Sequence, residues 1–360
     1  MRTRRLALCV WVAVSAAGCS APQDALAAAP PPDALAEAPR VMRYIASVPP
    51  HRGQVCYGLV LADVGGIPAR VRVLGDRDPR LCQADDADDA QPQLVRLALG
   101  AAEAVAADGA GDEGGNLSED LAQPMLADIV LSPVVISAAQ LDSLQRVVIG
   151  AGINYAEHRD EVGIDTAGEL LLFPKPVEPT GAYTTVHAGV QIGERPARPV
   201  LLLDYEVELG LVLLEDIDLQ DLPPDYASFV ERVAFFVAND VSDREPIILD
   251  DKTGYTRAKS HPGYLPVGPW MIHGSHLRPR TRGEGAHSLE IGLKVDEASS
   301  PPDTGKPQLR QLARSDDMLR GPWAIIRYMS EGFRRGDIVC MRDADGRPRF
   351  LHNAAGVIPA

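Results

Sequence analysis

Between Leu203 and Gly210 the chain reads Leu-Asp-Tyr-Glu-Val-Glu-Leu-Gly, inside an apolar run that extends from Leu201 to Leu214. Such alternation fits a β-strand, on which side chains two apart point the same way. Asp204, Glu206 and Glu208 then share one face, and Tyr205, Val207 and Leu209 line the other. Neighbouring carboxylates on an apolar strand repel one another and lose hydration. Either that face lies in water at a sheet edge, or a cation neutralises it. Further along, Phe235-Phe236-Val237-Ala238-Asn239-Asp240-Val241-Ser242 ends an apolar run on another acid, a position from which a short carboxylate can point into a site. Carboxylate oxygens suit Mg2+, Mn2+ or Ca2+, and nothing soft is offered to zinc or copper.

The rest of the chain sets the frame for that constellation. With 360 residues, 46% of them hydrophobic, there is enough material for one large or two medium domains, and 30 prolines with 32 glycines imply dense turns. A net charge of −15 without a basic, aromatic-interleaved patch argues against a nucleic-acid partner. Short alternating runs such as Val55 to Leu61 predict strands between residues 41 and 75, and Leu94 to Ala107 predict a helix with Leu97, Ala101 and Val105 on one face. Strands are expected near 129–133, 146–150, 289–295 and 337–341, with helices over Phe229 to Val237 and Met318 to Gly332. The expected class is mainly β (α+β) with short flanking helices.

The first residues read as an export signal. Arg2, Arg4 and Arg5 precede a short apolar stretch from Leu6 to Ala17, too short to span a bilayer as a mature helix. The stretch ends in Ala16-Ala17-Gly18-Cys19, which resembles a bacterial lipobox, with Ala where Leu is usual three positions before the cysteine. This implies a lipoprotein anchored at Cys19 and facing the periplasm, and Ser20 favours the outer membrane; a plain secretory signal is the alternative. The expected organisation is a signal over 1–18, an Ala/Pro-rich tether over 19–40, a small N-terminal domain over 41–127 and a catalytic domain over 128–360. Cys56 and Cys82 could pair in an oxidising compartment, and Cys340 reads as a buried thiol.

Several motifs, taken in order, resemble the fumarylacetoacetate hydrolase family. They are Gly152-Ile153-Asn154-Tyr155-x-x-His158-x-x-Glu161, Phe173-Pro174-Lys175-Pro176, Glu206-x-Glu208, Asn239-Asp240-Val241-Ser242-x-Arg244, Lys259-Ser260 and Gly268-Pro269-Trp270. The resemblance implies the family's mixed β-roll or sandwich fold and a divalent metal on Glu206, Glu208 and Asp240. It also implies a His158–Glu161 dyad carried on a lid, an active-site Lys259, and Arg244 as a polar group beside the metal. Such proteins act on small dicarbonyl or 2-oxo acids and are commonly homodimers. Each role has a chemical rationale: the metal accepts electron density from a 1,3-dicarbonyl, the dyad activates water, and the lysine meets developing negative charge.

The chain also departs from the family pattern. Asp243 and Glu245 stand where Ala and Asp are usual, and His261-Pro262-Gly263-Tyr264 replaces a more aromatic turn. Arg342-Asp343-Ala344-Asp345-Gly346 follows the last expected strand in place of a Gly-Thr-Pro loop. The first reading is a metal-dependent hydrolase that cleaves a C–C bond in a β-dicarbonyl or acylpyruvate-like acid. The same metal site serving hydratase, decarboxylase, isomerase or lyase chemistry is an alternative, as is an exported binding protein without catalysis.

Overall fold

The structure is a computed structural model and describes residues 38–64, 66–82, 91–107, 119–121, 130–136, 141, 148–162, 170–187, 189–190, 198–218, 221–249, 254–277, 289–295, 308–335, 349–350 and 355–359. The signal and lipobox, the strand expected around Cys340 and the segment replacing the Gly-Thr-Pro loop lie outside these residues.

In chain order the strands are β1 (Val41–Ile45), β2 (Val55–Val64), β3 (Ile67–Val73), β4 (Glu119–Leu121), β5 (Val130–Leu131), β6 (Val148–Gly152), β7 (Leu171–Pro174) and β8 (Thr180–Gly181). There follow β9 (Gly189–Val190), β10 (Arg198–Pro199), β11 (Leu203–Asp204), β12 (Val207–Leu213), β13 (Ile217–Asp218), β14 (Val233–Asn239), β15 (Ser242–Asp243) and β16 (Pro266–His273). The last are β17 (Glu290–Val295), β18 (Gln308–Arg314), β19 (Arg349–Phe350) and β20 (Ala355–Pro359). Helices are α1 (Gln91–Ala107), α2 (Ala156–Val162), α3 (Tyr226–Val230), α4 (Arg244–Leu249), α5 (Gly254–Lys259), α6 (Gly274–Leu277) and α7 (Pro322–Arg335). Strands outnumber helices, as the expected mainly β, α+β class requires.

One sheet of 12 strands organises the molecule, in the order β4-β3-β2-β1-β16-β14-β12-β20-β6-β7, with β5 beside β1 and β8 beside β16. β1 pairs with both β2 and β16, so the N-terminal strands and those downstream share this sheet, and the boundary expected near residue 128 is not a break between sheets. Arg40 ties the two parts further, meeting Asp63 at 2.5 Å and lying 4.8 Å over the Trp270 ring.

β12 is buried along its whole length because both faces of the sheet are covered. Val207, Leu209, Leu211 and Leu213 share a core with Phe229, Phe235, and Trp323 and Ile326 of α7. Val212 joins the opposite core with Phe236, Met271 and α1. Gly210 is needed between them: a Cβ there would come within 2.3 Å of the Phe236 ring. The helix expected from Leu94 begins slightly earlier, and its most buried face is Val95, Ala98, Leu99, Ala102 and Val105, with Leu97 and Ala101 on its flank.

Two local expectations are corrected. The helix expected over Phe229 to Val237 ends at Val230, and β14 begins at Val233. Its β-branched and aromatic residues fill a central position between β12 and β16, where ladder bonds on both edges outweigh local helical preference. The long strand expected from Leu201 to Leu214 is broken at Tyr205-Glu206, because β11 pairs with β15 whereas β12 pairs with β14.

Cys56 and Cys82, 26 positions apart in sequence, form a disulfide buried among Met42, Tyr44 and Val71. A bond closing a loop of that length stabilises by about 3 kcal/mol through the unfolded chain. A Cys56→Ser/Cys82→Ser variant is therefore expected to unfold at a clearly lower urea concentration than the oxidised wild type. The same midpoint for both would show that the bond contributes nothing.

Candidate metal centre

The register of β12 on β14 assembles the acidic cluster. Val207 faces Asn239 and Glu208 faces Ala238, so the acids at the start of one strand meet the acid just past the end of the other. The break at Glu206 tightens that meeting. Its backbone N–H donates to the Asn239 side-chain oxygen at 3.1 Å, and its carbonyl accepts from the Asp240 N–H at 2.8 Å. Glu206, Glu208 and Asp240 each place a carboxylate oxygen within 4.8 Å of the others. Glu208 and Asp240 are fully buried, at 0% exposure. Glu206, Glu208 and Asp240 thus come together, whereas Asp204, Glu206 and Glu208 do not share one continuous strand: Asp204 lies on β11, Glu208 on β12 and Glu206 in the break between them.

Cations surround the cluster. Lys259, at the end of α5, donates from Nζ to Glu206 Oε2 and, at 2.7 Å, to Asp240 Oδ2. Lys175, just beyond β7, donates from Nζ to Asp240 Oδ1 and is itself fully buried. Arg244 opens α4 and spans Asp204 at 2.8 Å and Glu206 at 2.5 Å. Burial pushes the Glu206 carboxyl up, but the nearby Lys259 and Arg244 charges outweigh it and hold the group at about 2. Burial likewise works against the Lys259 ammonium, and the Asp240 and Glu206 charges overcome it, so its pKa rises. At Lys175 burial wins: it lowers the ammonium, helped by the like charge of Lys259, against the pull of Asp240.

The donor set fits a hard dication. Every candidate ligand is a carboxylate oxygen, and all three lie within reach of one coordination sphere. The Lys259 ammonium joins Glu206 Oε2 to Asp240 Oδ2, Lys175 meets the other Asp240 oxygen, and together they limit the repulsion that would drive the acids apart.

Glu206, Arg244 and Lys259 line a cavity of about 1600 Å³. His158, half-buried on α2, lines the same cavity. Glu161 lies on that helix too, but its side chain is outside the described residues. Of the residues expected in the site, His158, Lys259, Arg244 and Glu206 thus share one cavity, whereas Glu208 and Asp240 are fully buried and do not line it, Glu208 lying instead on a second cavity with Arg40 and Trp270. Two further residues of these motifs belong to the site. One is Lys175. The other is Tyr155, whose buried hydroxyl lies against the cavity without a hydrogen bond among the described residues. Burial first, then the charges of Glu208, Asp317 and Asp316, push that phenol well above its ordinary pKa, so it remains a proton-bearing donor. A lysine between two prolines in an extended apolar run was the signal available for Lys175.

The fumarylacetoacetate (FAA) hydrolase C-terminal model matches residues 147–344, more than half of the chain. This chain belongs to the fumarylacetoacetate hydrolase family. Among curated relatives, the mitochondrial oxaloacetate tautomerase FAHD1 of Oryza sativa subsp. japonica is 30% identical over 206 residues, covering 55% of this chain and 78% of the rice protein. A relative from Burkholderia multivorans is 32% identical over 152 residues, covering 41% of this chain and 46% of the relative, so the chain spans about half of that protein's length. The crystal structure of Cg1458 with inhibitor superposes with a TM-score of 0.52 at 18% identity, covering 89% of this chain and 88% of that one. That likeness concerns the fold, which is the family's.

The departures from the family pattern converge. Asp243 is fully buried, accepts the Glu245 backbone N–H at 3.2 Å, and lies 4.0 Å from His261, which meets Tyr264 edge-on at 5.0 Å. The unusual residues of two motifs therefore meet in one place, at the start of α4.

Glu208→Ala is expected to abolish Mg2+ binding; an unchanged calorimetric affinity would remove Glu208 from the ligand set. A second expectation concerns acid. Glu206 is ionised down to about 2 in the folded chain, against an ordinary 4.5, so it binds fewer protons folded than unfolded. Its stabilising contribution is complete above about 4.5 and is lost as the pH falls towards 2. In chelator, Glu206→Gln should flatten the fall in stability across that window. An identical slope in wild type and variant would contradict the assignment.

Proposed function

We propose that this chain is a divalent-metal-dependent hydrolase that cleaves a C–C bond in a small β-dicarbonyl or acylpyruvate-like acid. The observation that carries this reading is the shared cavity: Glu206, one of three clustered acids able to hold a hard cation and joined by Lys259 to Asp240, lines it together with Lys259 and His158. When bound there, Mg2+, Mn2+ or Ca2+ supplies a Lewis acid that withdraws electrons from paired carbonyl oxygens.

The remaining work falls to the chain's own side chains. His158 takes a proton from water, and the hydroxide oxygen bonds to the distal carbonyl carbon. The C–C bond then breaks, its electron pair stays on the carbon between the carbonyls, and that carbon receives the proton from the imidazolium. Glu161, on the same helix, is the partner that would orient His158. Lys259 is held charged by Glu206 and Asp240 and meets the negative charge that develops on substrate oxygen. Arg244 fixes Glu206, and the Tyr155 hydroxyl supplies a donor to a substrate oxygen.

A second reading is favoured by the rice relative, named an oxaloacetate tautomerase. Moving a proton between carbon and oxygen uses the same base and the same electron sink without breaking a C–C bond. A panel of 1,3-dioxo and 2-oxo acids, assayed with Mg2+ and Mn2+ by loss of enol absorbance and by product mass, separates the two. Hydrolysis adds water and yields two acids; tautomerisation leaves mass unchanged. No turnover of either class with metal present would reject both. His158→Ala is expected to lower kcat by about 100-fold or more while leaving metal affinity near the wild-type value. Equal losses in both would place His158 in a structural role.

A further inference from the structure

Two amide side chains tie one wall of the cavity to opposite parts of the site. Gln311, on β18, grips the backbone of Val207: its Oε1 accepts the Val207 N–H at 2.8 Å, and its Nε2 donates to the Val207 carbonyl at 3.0 Å. Val207 is the residue between Glu206 and Glu208. β20 pairs with β12 at Glu208 through its Pro359, and Gln311 bonds the neighbouring Val207 peptide groups. The second amide is Asn154, just after β6 and 1% exposed. Its Nδ2 donates to the Arg320 carbonyl at 2.7 Å, and its Oδ1 accepts the Arg320 N–H at 3.0 Å. The Asn154 carbonyl accepts the Leu319 N–H at 2.7 Å, and Tyr155 bridges to Met318. Between the two grips, Leu312, Arg314, Asp316, Asp317 and Met318 face the cavity.

We propose that Gln308 to Arg320 is a brace with two separable functions, and that Gln311 and Asn154 are its positioning residues. Gln311 sets the spacing of the acids by fixing the peptide between them. Asn154 sets Tyr155 and the start of the His158 helix relative to the same wall. Each grip uses both a donor and an acceptor of a planar amide, so it fixes orientation as well as distance. A substrate that presses on this wall therefore acts on the acids and on the His158 helix together.

The metal arm of the test rests on reading Glu206, Glu208 and Asp240 as ligands; the exchange arm does not. Calorimetry with Mg2+ or Mn2+ alone is expected to show Gln311→Leu binding about tenfold more weakly, the size seen when groups behind metal ligands are lost. Gln311→Glu, which keeps an acceptor for the Val207 N–H, should recover part of that loss and serves where the leucine variant fails to fold. Asn154→Ala should leave metal affinity within about twofold of wild type, yet lower kcat. Hydrogen exchange in chelator should show faster exchange at Val207 in the Gln311 variants and at Leu319 and Arg320 in Asn154→Ala. Folded Gln311 variants with wild-type metal affinity, or an Asn154 variant with an equal loss of affinity, would overturn the proposal. If the wild type itself binds no metal, the ligand reading fails. The exchange pattern then decides the brace alone, and unchanged rates at Val207, Leu319 and Arg320 would end it.

Discussion

The cost of bringing Glu206, Glu208 and Asp240 together governs much of this structure. Their oxygens share a space less than 5 Å across, two of the three residues are sealed from water, and at neutral pH their charges oppose assembly. Backbone register does the gathering, and buried cations offset the repulsion. Lys259, Lys175 and Arg244 reach the cluster from α5, from the turn after β7 and from the start of α4. Elements far apart in sequence are thereby bound to one electrostatic centre, and none can shift without leaving a buried charge poorly matched.

This dependence explains why the kink at Tyr205-Glu206 matters more than the strand it interrupts. An unbroken strand would send Glu206 and Glu208 to one face at a fixed spacing, with no claim on Asp240. The change of partner from β15 to β14 frees the Glu206 peptide to bond Asn239 and Asp240. The same region holds the family departures. Asp243 closes the start of α4 and faces His261, so a substitution in one motif is answered by a residue in another. Arg244, the first residue of α4, inherits its position from that arrangement.

The acids Glu206, Glu208 and Asp240 were legible as candidates because the order of the motifs that hold them is written in short stretches, whereas alternation alone pointed to Asp204 in place of Asp240. Cys56 and Cys82 were legible as a possible pair, since the other cysteines had other places. What could not be read was set by partners distant in sequence. Phe229 to Val237 is apolar enough for either a helix or a strand, and only the presence of β12 and β16 on both sides decides it. Alternation runs unbroken through Tyr205, so nothing local marks the kink. Lys175 carries no partner in its own segment, and Gln311 sits in a polar stretch that gives no hint of Val207. Such residues become informative only once the sheet order is known.

The way β1 enters the sheet has a consequence for how this protein can be divided. β1 lies between β2 and β16, and Arg40 spans from Asp63 to Trp270 across that junction. Trimming the chain back to the stretch shared with its relatives would strip β16 of a neighbour and leave its peptide groups open to any passing strand. The stretch matched by the family model and the segment that precedes it therefore share one hydrogen-bonded sheet, and β16 relies on that segment for one of its neighbours.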